Sequence, residues 1–205
     1  SGTEPCWELA DPDMTDIPQD FLRETTNLTG TLKLGAAVKT IGRAAFYKTK
    51  LTGLDLSDAA SLESIGAAAF IYTDITGTLV IPANVETIGD EAFYKTKLTG
   101  LDLSEAASLV SIGRSAFRGT DITGTLVIPA KVKTIGYGTF YSTDITGLDL
   151  SQAASLESIG VYAFANTDIT GKIVTPFNVP TYTTYTYTTG GRAASFPPGV
   201  TIVKG

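Results

Sequence analysis

Histidine is absent from the 205-residue chain, and cysteine, methionine and tryptophan occur once each. Without histidine the protein lacks the usual general base near neutral pH and the commonest metal ligand. The single thiol, Cys6, excludes a disulfide within the chain. It reads as a small buried or capping residue rather than a nucleophile. Positive charge is in deficit, with 15 Lys and Arg against 21 Asp and Glu for a net charge of −6. That balance argues against a nucleic-acid partner, which needs a concentrated basic face. No hydrophobic leader is evident, and no stretch approaches the roughly 18 continuous apolar residues that membrane insertion requires.

What the chain has instead is repetition, the feature to seek before any secondary structure. Ile-Gly recurs at Ile41-Gly42, Ile65-Gly66, Ile88-Gly89, Ile112-Gly113, Ile135-Gly136 and Ile159-Gly160, in steps of 24, 23, 24, 23 and 24. Thr-Gly and a phenylalanine column (Phe46, Phe70, Phe93, Phe117, Phe140, Phe164) keep the same beat. The full unit is a 47-residue pair, since residues 52–98 align without gaps onto residues 99–145. One half-unit reads TGTLVIPANVETIG (76–89) and the other TGLDLSEAASLVSIG (99–113). In both, the alternation of Leu79 with Ile81, or of Leu101 with Leu103, predicts a strand with those side chains inward. A second extended piece ends at Ile-Gly, and a brief helical stretch such as residues 90–94 is expected to follow. A unit of this size cannot bury its apolar side alone, so stacking must build the core. The glycine after each Ile fits a corner where a Cβ crowds the next coil or φ is positive.

The run IPANVETIGDEAFY (81–94) resembles the BspA-type, Treponema pallidum-like leucine-rich repeat, I-x-I-P-x-x-V-x-x-I-G-x-x-A-F followed by a small residue or Cys. Six successive matches carry the resemblance over residues 28–176. Threonine (Thr49, Thr73, Thr96, Thr120, Thr143, Thr167) stands where that family often has Cys, and alternate half-units replace Ile-Pro-x-x-Val with a longer Ser/Ala segment. The expected fold is thus an α/β, right-handed leucine-rich-repeat solenoid of about six to seven coils. It has a parallel β-sheet on one side and short helical or 3-10 turns on the opposite side. Residues 29–176 form the solenoid, 1–28 an atypical N-terminal cap and 177–205 a C-terminal cap. Gln19–Leu22 is expected to open a short helix, with Trp7 and Phe21 covering the first coil. In the C-terminal cap, the Thr/Tyr run around Tyr182, Tyr185 and Tyr187 and the segment 200–203 read as strands.

Function is sought in the exposed columns. Between the inward residues of the strand face lie Lys33, Asp55, Val80, Asp102, Val127, Asp149 and Val174, a mixed acidic and apolar surface suited to ligand binding by protein recognition. The three aspartates occupy every second coil, about 9.6 Å apart. One carboxylate per position is too few for calcium, so no metal site and no cofactor are expected. Ser57, Ser104 and Ser151 have no base to activate them and read as turn caps. A charge column, Lys50, Asp74, Lys97, Asp121, Asp144 and Asp168, alternates in sign at first and is expected to set register. Tyr47, Tyr94 and Tyr141, with Tyr72 and Tyr162 nearby, read as covers for the turns of their own coils; the alternative is an interface. Paired threonines three residues apart (Thr49/Thr52 and successors) resemble an ice-binding array, but a strand has period two and cannot place both on one face. Asn27-Leu28-Thr29 is a formal glycosylation sequon.

No nucleophile–base pair can be assembled, so the expectation is a non-catalytic recognition or adhesion module. The resemblance implies an extracellular-matrix or cell-surface protein as partner and a location at the cell surface or outside the cell. The competing reading is a structural spacer that self-associates through its edges.

Overall fold

A short half-unit such as TGTLV at 76–80 places apolar side chains at alternate positions. In the computed structural model, which describes residues 5–9, 11–170, 172–175 and 201–204, such runs become the long strands of a parallel β-solenoid. The chain begins with β1 (Cys6–Leu9), β2 (Asp16–Ile17), β3 (Thr29–Leu34) and β4 (Thr40–Ile41). It continues through β5 (Lys50–Asp55), β6 (Ser64–Ile65), β7 (Thr76–Val80) and β8 (Thr87–Ile88). Then come β9 (Lys97–Asp102), β10 (Ser111–Ile112), β11 (Thr123–Val127) and β12 (Thr134–Ile135). The last are β13 (Asp144–Asp149), β14 (Ser158–Ile159), β15 (Lys172–Thr175) and β16 (Thr201–Lys204).

Even-numbered strands β2 to β14 form one seven-stranded parallel sheet, a coil to each strand. Only two residues per coil join it, Thr or Ser followed by Ile in every coil but the first, and the ladder is unbroken because that dipeptide hardly changes. Each glycine after the Ile has its explanation here. A Cβ on Gly89 would lie 2.6 Å from the nitrogen of Ala67 and 2.8 Å from the carbonyl carbon of Gly66, and its φ is not positive. Close approach of the preceding coil, not backbone conformation, requires glycine at this corner.

The long strands behave differently. β5 pairs with β3, β9 with β7 and β13 with β11, but no ladder joins one pair to the next. β1 extends the first pair, and β16 pairs with β15. Within the β3–β5, β7–β9 and β11–β13 pairs the second strand carries one extra residue: Gly77 faces Leu98 and Thr78 faces Gly100, leaving Thr99 as a bulge. Gly77 has φ of 78°, and the Oγ1 of Thr78 covers Gly100 where a Cβ would stand 2.5 Å away. The same arrangement recurs at Thr31 over Gly53 and Thr125 over Gly147.

The interior is a set of aligned columns. Phe46, Phe70, Phe93, Phe117, Phe140 and Phe164 are fully buried and stacked nearly parallel, with ring centroids 5.2–5.5 Å apart. The threonines at 49, 73, 96, 120, 143 and 167 are buried beside them, and each Oγ1 donates to the carbonyl of the phenylalanine three residues earlier. Half of the supposed hydroxyl array therefore faces the core, which removes the paired surface an ice-binding reading needs.

The third side corrects the expected α/β class. The described residues contain no helix, neither at 90–94 nor at Gln19–Leu22. Instead, linked turns run across each coil. The amides of Ala92, Tyr94 and Thr96 donate to the carbonyls of Gly89, Glu91 and Phe93 within the coil. Those of Glu91, Phe93 and Lys95 donate to Arg114, Ala116 and Arg118 on the next coil at 2.7–2.9 Å. A helix of five or six residues would fix many dihedrals for very few bonds, whereas this pattern satisfies six consecutive amides. It holds two residues per coil at positive φ, such as Glu91 (58°) and Lys95 (53°), a conformation that costs a non-glycine residue about 1–2 kcal/mol.

At the N-terminal end, Asp16 and Ile17 stand in register with Thr40 and Ile41. Phe21 meets Phe46 edge-on at 6.3 Å, while Trp7 is 44% exposed and its Nε1 donates to the carbonyl of Thr29. Cys6 is not a buried thiol but an exposed one on β1. Tyr182, Tyr185 and Tyr187 lie outside the described residues; of the expected last strand, residues 201–203 fall within β16.

Candidate functional site

Alternation along the long strands turns the predicted column outward, and the register fixes its neighbours. Lys33 lies opposite Asp55, Val80 opposite Asp102, and Val127 opposite Asp149. Val174 belongs to β15, but its side chain is outside the described residues. The six described positions thus come together as three cross-strand couples, one per strand pair.

The aspartates are tied down locally. The backbone amide of Ser57 donates to Asp55 Oδ1 at 2.9 Å, that of Ser104 to Asp102 at 2.8 Å, and that of Ser151 to Asp149 at 2.7 Å. These amide bonds first, and the serine hydroxyls second, hold all three carboxyls below the usual value of 3.8. Each aspartate ends its strand and forms the following turn by accepting the amide two residues on, with the serine seated in that turn. Lys33 does not pair with Asp55; its Nζ reaches Asp58 Oδ2 at 2.8 Å, and this bond raises the lysine pKa. Among the described residues no group of three or more acidic or thiol side chains is arranged to hold a metal ion.

The valines have no such partner. Val80 and Val127 are 46% and 45% exposed, each on the first strand of its pair, facing the gap left by the preceding pair. There the strand face opens. Between β9 and β11 a groove of about 600 Å³ is lined by Leu101, Ala106, Ala107, Val127, Pro129 and Ala130, with Asp102 and Lys131 at its polar edges. One 47-residue unit earlier, between β5 and β7, a groove of about 360 Å³ is lined by Leu56 and by Ala59, Ala60, Val80, Pro82 and Ala83, the last five being the counterparts of Ala106, Ala107, Val127, Pro129 and Ala130. Leu54 and Leu101 stay partly uncovered, whereas Leu79 and Leu126 are buried, because the former sit on the second strand of a pair, against the open gap. Sequence reasoning missed these prolines and alanines. The signal available was the alternation of Pro-Ala with Ala-Ala between half-units.

Beside the strand face, Asp74 is bridged by Lys97 at 2.8 Å and Lys50 at 3.3 Å, so the alternating charges do pair between coils. The hydrogen bond from Lys97 is the main cause that lowers the Asp74 pKa.

Residues 9–108 and 63–190 match the family profile of the BspA type leucine rich repeat region, in six copies. Among solved structures, the pneumococcal vaccine antigen PcpA aligns over 71% of this chain and 44% of its own, at 19% identity and a TM-score of 0.53. The chain thus spans less than half the length of that antigen, and the likeness is one of fold. A leucine-rich repeat protein from Bacteroides ovatus aligns over 97% of this chain and 70% of its own, at 16% identity and a TM-score of 0.33. No curated protein matches the chain.

Proposed function

The chain belongs to the BspA type leucine-rich repeat family, and from that premise we propose that it is a non-catalytic recognition module that holds a protein partner against its long-strand face, at the cell surface or outside the cell. The observation that carries the reading is the pair of apolar grooves repeated at the 47-residue period, each edged by a half-exposed valine and by polar side chains. Exposed apolar positions grouped in a concavity and rimmed by polar groups are the mark of an interaction surface. The grooves are wide enough for single side chains, and their repetition lets one partner engage two of them in register.

The test uses the valines rather than the aspartates, because removing Asp102 disturbs a turn as well as a surface. A photo-crosslinking residue placed at Val80 or Val127 is expected to yield a discrete adduct with a protein from the native extracellular surroundings, and one placed at Glu86, away from the long-strand face, is expected to yield none. Val127→Asp should then weaken binding of that partner about tenfold. Equal adducts from all three positions, or undiminished binding by Val127→Asp, would reject this face.

A further inference from the structure

The linked-turn side gathers residues that are scattered in sequence. All six described tyrosines and all four described arginines lie on it, together with Lys48 and Lys95. In a chain of net charge −6 this is a local excess, six cations against the four carboxylates of Asp20, Glu24, Asp90 and Glu91. The rings and cations are interleaved. The Arg118 guanidinium lies 4.7 Å from the Tyr141 ring centre and 6.0 Å from that of Tyr94, and Arg114 lies 5.6 Å from Tyr137. Among the described residues no carboxylate stands within 4 Å of Arg43, Arg114 or Arg118. Asp90, the nearest candidate in sequence register, accepts from the backbone amide of Arg114 instead. These three arginines open on a trough of about 420 Å³ whose other walls include the small residues Ala44, Ala68 and Ser115, and Glu91.

A guanidinium held face-on against a ring keeps its in-plane N–H groups free, and that fork matches a carboxylate in two bonds. Tyrosine and arginine are also the residues that dominate binding energy at protein interfaces. We propose that the linked-turn side is a second binding surface, which takes an extended acidic segment of a partner protein lying along the solenoid axis. A protein segment fits better than a uniformly anionic polymer because Glu91 stands inside the trough and Asp90 and Glu24 flank it. These repel continuous negative charge, but they accept amides or hydroxyls from a mixed peptide. Arg43 and Arg114 are three coils apart, about 15 Å at strand spacing, which an extended peptide crosses in four or five residues. Carboxylates four residues apart fall on the same side of such a peptide.

The probe is a fluorescein-labelled twelve-residue peptide with glutamate at every fourth position and serine or glycine elsewhere, followed by fluorescence anisotropy. Saturable binding to the whole chain is expected at an ionic strength near 0.15 M, weakening as salt is raised. Arg114→Ala combined with Arg118→Ala should reduce affinity about tenfold or more. Arg118→Lys, which keeps the charge and loses the fork and the stacking, should also reduce it. Arg43→Ala, at an exposed position, serves if the double variant does not fold, and the same direction of change is expected. Val127→Asp on the long-strand face should leave the peptide affinity unchanged, so the two surfaces fail or hold independently. Absence of saturation, full affinity in the arginine variants, or tighter binding of a sulfated oligosaccharide or a DNA duplex than of the peptide would overturn the proposal.

Discussion

Two sides of each coil use the same device, parallel strands stacked at one residue column per turn, and reach opposite results. On the Ile-Gly side the strands are two residues long and the ladder runs through seven coils without a gap. On the long-strand side they are five or six residues long in the repeating coils, yet pairing stops after every second one. Length is therefore not what keeps the sheet continuous. Uniformity is: the short side presents the same dipeptide each time, while the long side alternates TGTLV with TGLDL and inserts a bulge at Thr52, Thr99 or Thr146. The continuous side is one unbroken ladder, and the interrupted side has grooves between its strand pairs.

The contrast can be attacked at three depths. Phe117→Ala, in the stack that both sides share, should cost about 3–5 kcal/mol, measured by denaturant unfolding. An equal loss from Phe164→Ala, at the end of the stack, would show that the coils do not act as a nearest-neighbour array. The two glycines give the sharpest comparison. Gly89→Ala meets the backbone of the preceding coil on the continuous side and should cost about 3 kcal/mol, at the upper end of overpacking. Gly77→Ala has open space around it and only its φ of 78° to resist the change, for about 1–2 kcal/mol. If the two losses in midpoint were the same, the continuous side would not be the tighter one. Smallest is the effect of acid. The folded carboxyl of Asp102 titrates below its ordinary value of 3.8, so its contribution is complete above that pH and is lost as pH falls through the folded value. Asp102→Asn should flatten the decline of thermal stability below about pH 4; an unchanged profile would mean that its bond to Ser104 is immaterial.

Much of this was readable from the sequence. The Ile-Gly and Phe spacing gives the coil, its length and its inward residues, because identical neighbours leave one way to stack. The outward position of Val80 and Asp102 follows from strand alternation. The helix expected at 90–94 was not there to be found by local propensity, since the amides of Glu91, Phe93 and Lys95 are taken by the next coil. The grooves depend on which strands pair, a fact of register between coils. The tyrosine–arginine face escaped for another reason: Arg43 with Arg114, and Arg23 with Arg118, occupy two repeat columns that other residue types fill in the coils between, and net charge averages away a local excess.

The phenylalanine stack has a mechanical corollary. Each coil is held chiefly by its two neighbours, so tension applied to the chain ends should peel turns away singly from an end. A detached turn gives up about 5 Å of folded length and releases about 80 Å of extended chain. Pulling the molecule in an optical trap should therefore give a staircase of near-equal lengthenings where a single cooperative core would give one rip.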